Sequence, residues 1–249
     1  MQNNWTLRRL PNSPESWPPD AFPIWASILA LVIAFAIYVA SAIYLLRAFA
    51  IPPQTIRAVE LTRGIVEAQV ASYVPLLIFI AIVLPLLARR TLGAILGPFG
   101  GREILAGLVG AIVMWLAVTI VGAIQAGFLG HTPTQTAVKL FENAKPGFWL
   151  DVMAVVAVTL APFAEELVFR GFIFNALWKR LPFSFSALGS GVLFGLAHGQ
   201  AAGIAPLAAG GFVLATVYAR SGSLWSSMIA HGTFNGITLA LLLLAGIKT

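Results

Sequence analysis

The sequence predicts an all-α fold, a polytopic bundle of seven to eight transmembrane helices, and two observations support this. Apolar residues make up 59% of the 249 residues and charged residues only 10%, whereas ordinary globular domains contain roughly 45–50% and about 25%. So few charges cannot cover a soluble surface, and so many large apolar residues exclude a disordered chain. The apolar residues also gather into runs that are long enough to cross a bilayer as helices.

The charged residues are distributed as in a membrane protein. The formal net charge is +6, but the basic residues lie mostly between apolar runs, where they set the topology of membrane proteins. An inside N-terminus places the basic pairs at 8–9, 89–90 and 179–180 on the inner side. We therefore expect an integral, multi-pass protein of the cell membrane, with lipid and no nucleic acid as partner; the oligomeric state is left open. The absence of cysteine excludes disulfides and thiolate metal sites.

The chain begins with a polar stretch rich in proline, and residues 1–22 are predicted to be a disordered tail. Arg8 and Arg9 before an apolar run resemble a secretion signal. The apolar sequence continues to Leu46, however, whereas a signal core has about 7–15 residues. Residues 23–46 are therefore predicted to be a retained transmembrane helix.

Residues 23–147 as a whole are predicted to form the N-terminal transmembrane helices and a connector. Within them, residues 47–69 are the charged, partly amphipathic connector, and the second and third spans are 70–88 and 104–128. Residues 129–147 form a polar loop with glycine and proline. The spans of this part carry no concentrated set of ionisable residues.

The C-terminal part begins with an unusually long apolar segment. At 1.5 Å per residue, a helix over residues 148–178 is about 46 Å long, which exceeds the roughly 30 Å hydrocarbon core. It is therefore either one helix that emerges from the membrane or a span that breaks near Ala161-Pro162. Three further spans, at 185–198, 204–219 and 224–247, bring the total to seven, or to eight if the long segment is split or the connector re-enters the membrane.

The first polar motif lies in the middle of that long segment, where a membrane makes ionisable groups unfavourable. Glu166 and Arg170 are four residues apart, so they share one helix face and can neutralise each other. Glu165 points about 100° away and has no local partner. An unpaired carboxylate suits a general base; the alternative is an interfacial ion pair beside a solvated Glu165.

The second motif runs from Phe194 to His198 on an apolar helix. Small residues recur every fourth position beside it, at Ala187, Gly191, Gly195 and Gly199. Such a stripe lets another helix approach closely. His198 lies just off the stripe and is predicted to face the bundle interior; the alternative is an interfacial histidine.

The third motif contains His231 and Asn235, which are four residues apart and project side by side. A neutral imidazole N–H and an amide NH₂ can point donors at one oxygen, as an oxyanion hole does. The alternative is hydrogen bonding between helices.

Together, the three motifs supply a base, an imidazole and a pair of donors from three separate spans. The chain lacks the Gly-x-Ser-x-Gly pattern of a serine nucleophile and the His-Glu-x-x-His zinc motif. The chemistry that fits is activation of water followed by attack on an amide.

The three motifs, in this order, resemble the CPBP family of intramembrane proteases. These are the CAAX-protease and bacteriocin-processing enzymes, also called the Abi family, and they include type II CAAX prenyl endopeptidases. The family pattern is Glu-Glu-x-x-x-Arg, then Phe-x-x-x-His, then His-x-x-x-Asn, which this sequence contains at 165–170, 194–198 and 231–235. The resemblance covers roughly residues 148–247 and implies that residues 148–249 are the catalytic transmembrane domain of an intramembrane endopeptidase.

The resemblance also implies roles for individual residues. Glu165 and His198 would activate the water, and His231 and Asn235 would hold the oxyanion. The predicted catalytic set is Glu165, Glu166, His198, His231 and Asn235, with Arg170 and Phe194 as structural support. Glu165, His198 and His231 can also hold one zinc ion with an open position, and a metal-free mechanism is equally compatible with these residues.

The implied substrate is a membrane-associated peptide or lipidated protein, processed in the CAAX manner or as a leader or bacteriocin peptide. A rival function remains, that of a non-catalytic immunity or maturation factor that binds a peptide partner. A transporter fits less well, because transporters usually show paired halves with interrupted helices and the polar residues here lie in one half.

Overall fold

The computed structural model describes residue 18 and residues 20–51, 61–130, 139–141, 144 and 146–246. Its main elements are helical: α1 (Ile24–Ala48), α2 (Arg63–Ala88), α3 (Leu92–Leu96), α4 (Gly101–Leu129), α5 (Phe148–Val158), α6 (Leu160–Glu166), a π-helix (Leu167–Phe174), α7 (Asn175–Trp178), α8 (Phe183–Ala197), a 3₁₀ turn (Ala201–Gly203), α9 (Ile204–Ser221) and α10 (Leu224–Gly246). The predicted all-α membrane bundle is confirmed.

Six helical segments of the described chain are long and apolar enough to cross a membrane. They are Ile24–Ala48, Arg63–Ala88, Gly101–Leu129, Phe148–Trp178, Ile204–Ser221 and Leu224–Leu244. The predicted fifth span is the shorter helix α8, which has 15 residues and a length of about 22 Å. The predicted total of seven is reached only when α8 is counted, because it is shorter than the roughly 30 Å hydrocarbon core.

The connector between the first two spans is shorter than predicted, because α2 begins at Arg63 rather than at Val70. The Thr62 hydroxyl accepts a hydrogen bond from the Ile65 backbone N–H, at 3.4 Å, and caps the helix. Arg63 then pairs with Glu67 one turn later, at 2.7 Å. Two of the charges that suggested a connector, Arg63 and Glu67, therefore belong to the first turns of a helix.

The end of the predicted disordered tail is packed, which corrects its boundary at residue 22. Phe22 is fully buried, and its backbone N–H donates to the Leu87 carbonyl at 2.9 Å. The Phe22 carbonyl accepts from Arg180, and Asp20 pairs with Arg89. Residues 20–22 thus bind the ends of α2 and α7, whereas most of the predicted tail, residues 1–17 and 19, lies outside the described residues.

The helix ends that the predicted orientation places inside do lie together. Besides these contacts of residues 20–22, the Ser223 hydroxyl donates to the Pro98 carbonyl at 2.6 Å, and Phe99 packs edge-on against Trp225. We call this the basic end of the bundle, because it carries Arg89, Arg90, Arg102, Lys179, Arg180 and Arg220.

The long segment Phe148–Trp178 is interrupted, as the second of the two sequence-based alternatives predicts. The interruption lies at Thr159, whose φ of −121° and ψ of −69° separate α5 from α6. Pro162 has no N–H to donate to the Val158 carbonyl four residues earlier, so the break falls one turn before the proline. A π-helix follows α6 directly, a geometry that is frequent at functional sites.

The predicted small-residue stripe on α8 is confirmed at two of its glycines. A Cβ atom on Gly191 would lie 2.5 Å from the Ala208 carbonyl oxygen, and one on Gly195 would lie 2.7 Å from that of Ile204. These positions therefore let α8 and α9 touch backbone to backbone. Gly199 instead has a φ of +70° and turns the chain from α8 towards α9.

Candidate active site

The first part of the site is a buried ion pair on the interrupted helix. Arg170 Nη1 donates to Glu166 Oε1 at 2.7 Å, and both side chains are fully buried. Arg170 Nη2 also donates to the Gly211 carbonyl of α9 at 2.9 Å. The predicted pairing of Glu166 with Arg170 is thus confirmed, and Gly211 is a partner that the sequence spacing did not reveal.

His231 of α10 joins this pair from across the bundle. Its Nδ1 lies 3.0 Å from Glu166 Oε1, the same oxygen that accepts from Arg170. Because a carboxylate facing an arginine accepts hydrogen bonds, the imidazole Nδ1 carries a proton and donates it. A neutral His231 ring therefore has an unprotonated Nε2, which differs from the neutral donor that the sequence analysis expected. Donation from Nε2 requires a ring that carries a proton on both nitrogens.

Glu165 lies next to His231 but is not paired with an arginine. Its Oε2 is 3.9 Å from His231 Nε2, and its side chain keeps 24% of its surface exposed. That oxygen is buried and accepts no hydrogen bond from the described residues. Arg170 thus pairs with Glu166 and not with Glu165, as the helix spacing predicts.

Phe194 connects the two histidines of the site. Its ring centroid is 4.7 Å from that of His198 and 5.5 Å from that of His231. The Arg170 guanidinium lies 4.9 Å from the same centroid. Phe194 is buried, so it fixes all three groups by contact. Its predicted structural role agrees with this position.

His198 follows the last residue of α8, and its side chain is exposed. The prediction that it faces the bundle interior is wrong, because α8 ends before His198 is enclosed by neighbouring helices. Its Nδ1 lies 2.8 Å from the Phe194 carbonyl, which can only accept, so Nδ1 is protonated. In a neutral ring, Nε2 is then free to accept a proton.

Asn235 holds the interruption of the long helix. Its Nδ2 donates to the Ala157 carbonyl at 2.8 Å, next to the break at Thr159. One turn earlier, a Cβ atom on Gly232 would lie 2.4 Å from the Val158 carbonyl oxygen, so α10 touches the broken backbone. One amide N–H of Asn235 is used in this contact, and the second remains for another acceptor.

The predicted zinc ligands fit a metal ion only in part. Glu165 and His231 face each other, and the contact of His231 with Glu166 resembles the carboxylate that commonly orients a ligating histidine. Within the described residues, however, no three His, Asp or Glu side chains are grouped closely enough to hold a metal. His198 therefore does not complete a three-ligand site in this arrangement.

Two comparisons with known proteins agree with the motifs. Residues 147–237, which include every predicted site residue, match the family described as type II CAAX prenyl endopeptidase Rce1-like. The "Putative membrane peptidase YdiL" of Bacillus subtilis (strain 168) is 28% identical over 170 residues, which cover 67% of each chain. No solved structure matches the chain significantly. The resemblance to the CPBP family is therefore confirmed, and the matches support an intramembrane protease.

Proposed function

We propose that this intramembrane protease hydrolyses a peptide bond of a membrane-associated peptide or protein with water activated by Glu165 and His198. The observation that carries the proposal is the array of Glu165, Glu166 and His231, which two separate helices bring together inside an apolar bundle. Ionisable groups in membrane spans are unfavourable and typically functional. The match to Rce1-like endopeptidases gives the same class of reaction.

In the proposed reaction, the free carboxylate of Glu165 takes a proton from water, and the resulting oxygen nucleophile attacks the peptide carbonyl carbon. The tetrahedral intermediate then collapses, the C–N bond breaks, and the proton passes to the leaving amine. His198 assists through its Nε2, because its Nδ1 is engaged with the Phe194 carbonyl. The proton that Glu165 takes from the water is thus the one that reaches the leaving amine, and the oxygen of the water becomes part of the new carboxyl group.

The proposed oxyanion donors are His231 and Asn235. The imidazolium of His231, held by Glu166, donates from Nε2, and Asn235 donates through the amide N–H that Ala157 does not use. Donors that are fixed before the reaction stabilise the developing charge most effectively. The substrates proposed for this site are lipidated proteins cleaved in the CAAX manner and leader or bacteriocin peptides.

The direct test is cleavage by the purified protein in liposomes. The wild-type chain should release a fluorescent product from a membrane-tethered peptide. His198→Ala should lower kcat about 10²-fold without changing the melting temperature, since the ring is exposed. Equal rates for the variant and the wild type would remove His198 from the mechanism.

A folded wild-type protein that cuts neither a prenylated nor an unmodified peptide, yet still protects cells from a peptide toxin, would favour the immunity-factor alternative.

Zinc stays a separate proposal, and no step above depends on it. If a metal ion bound by Glu165 and His231 supplies a Lewis acid, phenanthroline should abolish cleavage, and added zinc should restore it. If the site works without metal, the rate should be the same before and after chelation. Metal content of the purified protein, measured by mass spectrometry with Glu165→Gln as the control, gives a readout that is independent of activity.

A further inference from the structure

An apolar groove of about 550 Å³ lies on the surface of the bundle, along α9 and between α4 and α8. Ala117 of α4 lines one side, and Leu188 and Val192 of α8 line the other. Leu188 keeps 52% of its surface exposed, so the groove opens to the lipid. Between the two sides, α9 contributes small side chains at Ala205, Ala208 and Ala209.

The groove has the length of one lipid chain in one leaflet. The residues of α9 that line it extend from Ile204 to Val213, which is a rise of about 14 Å. Half of the hydrocarbon core of a bilayer is roughly 15 Å. The lining residues are all apolar, so a hydrocarbon chain suits the groove better than a peptide, whose backbone N–H and C=O groups would lie there without partners.

A basic side chain follows the groove on the same face of α9. Arg220 comes seven residues after Val213 and eleven after Ala209, and both spacings return to one helix face. It is exposed, lies in the last turn of α9, and forms no ion pair with the described residues. Because it lies about 10 Å beyond Val213 along the helix axis, it is at the depth of a headgroup whose chain fills the groove.

We propose that the groove binds one anionic phospholipid of the leaflet at the basic end, with an acyl chain along α9 and the phosphate beside Arg220. Anionic lipids are attracted to basic residues at the ends of membrane helices, and Arg donates a pair of parallel hydrogen bonds to phosphate. The chain alone would fit any phospholipid, so Arg220 supplies the preference for a negative headgroup. Binding here does not depend on cleavage, because none of these residues belongs to the predicted catalytic set.

The bound lipid would pack behind the helix pair that holds Arg170. The Gly211 carbonyl of α9 accepts from Arg170 at 2.9 Å, and a Cβ atom on Gly211 would lie 2.6 Å from the Gly191 Cα of α8. The next residue, Phe212, lines the groove. A chain in the groove therefore contacts the outer side of the α8–α9 contact, and a lipid that binds only the folded state stabilises it.

The binding test is native mass spectrometry of the full chain in detergent, with equal amounts of dioleoyl-phosphatidylglycerol and dioleoyl-phosphatidylcholine. The wild type should retain one phosphatidylglycerol in preference to phosphatidylcholine. Arg220→Gln should weaken the retention of phosphatidylglycerol about fivefold, because one basic group near the surface is lost. Ala205→Phe, at an exposed position of the groove, should abolish the retention, because the ring takes the place of the chain.

Matched substitutions outside the groove are the controls. Arg47→Gln removes an exposed arginine from the last turn of α1, at the other end of the bundle. Ala81→Phe adds a ring at an exposed position of α2. Neither should change the retention of phosphatidylglycerol. Equal retention of both lipids by the wild type, or an unchanged affinity in Arg220→Gln, overturns the proposal.

The melting temperature in detergent is a second readout. Phosphatidylglycerol at about 100 times its dissociation constant should raise the wild-type value by about 5 °C, and the rise should be smaller for Arg220→Gln. A groove that retains a farnesylated peptide and no phospholipid would belong to a substrate chain and overturn the proposal. A wild-type dimer that Ala205→Phe converts into a monomer would show that a second copy covers the groove, and this too would overturn it.

Discussion

Replacing Glu165 with glutamine is expected to lower kcat about 10³-fold and to leave the melting temperature nearly unchanged. The amide keeps the shape of the side chain but cannot take a proton from water. Stability should change little because Glu165 Oε2 accepts no hydrogen bond from the described residues, and its contact with His231 is long, at 3.9 Å. Single-turnover cleavage of a tethered peptide in liposomes measures the rate, and thermal unfolding in detergent measures the stability.

The neighbouring residue supplies the control for this prediction. Glu166→Gln is the same chemical change one position away, but Glu166 accepts from both Arg170 and His231. It should therefore lower stability as well as activity. If Glu165→Gln retained more than about one tenth of the wild-type rate, Glu165 would not be the base. If both variants melted early, Glu165 would be a structural residue.

Removing the Arg170 guanidinium should have the largest effect on stability. Arg170→Met leaves the fully buried Glu166 carboxylate with His231 as its remaining partner and frees the Gly211 carbonyl. Breaking a buried ion pair on one side typically destabilises by about 3–5 kcal/mol. For a chain of this size the melting temperature should fall by about 10 °C.

A double variant tests whether Glu166 and Arg170 stabilise the fold as a pair. Arg170→Met combined with Glu166→Leu removes both charges, so it should be less destabilising than the sum of the two single substitutions. Arg63→Met, which breaks an exposed pair with Glu67, should change the melting temperature by less than about 3 °C. Additive losses in the double variant would show that Glu166 and Arg170 act independently.

The sequence predicts the parts of the fold and site that depend on local spacing. The pairing of Glu166 with Arg170 follows from a separation of four residues on a helix. The close approach of another helix to α8 follows from Gly191 and Gly195, and the structure identifies that helix as α9. The apolar runs locate the spans because a bilayer demands long uninterrupted apolar stretches. The sequence predicts helix starts less well, because a capped helix can begin before its apolar run. α2 begins at Arg63, after the cap Thr62, and not at Val70.

Contacts between distant segments were not predictable, because one sequence does not reveal which carbonyl a side chain reaches. Asn235 was expected to serve an oxyanion, and it also holds Ala157 at a break that Pro162 creates. The exposure of His198 depends on where α8 stops relative to its neighbours.

The short helix α8 has a consequence for the lipid around the protein. Its 15 residues leave a hydrophobic mismatch with a bilayer that the longer helices fit, and such a mismatch is relieved when neighbouring lipids thin the bilayer at a modest energetic penalty. Such thinning would bring headgroups and solvent towards the turn that carries His198. The proposed hydrolysis would then draw its water from a locally thinned leaflet and would need no pore through the bundle.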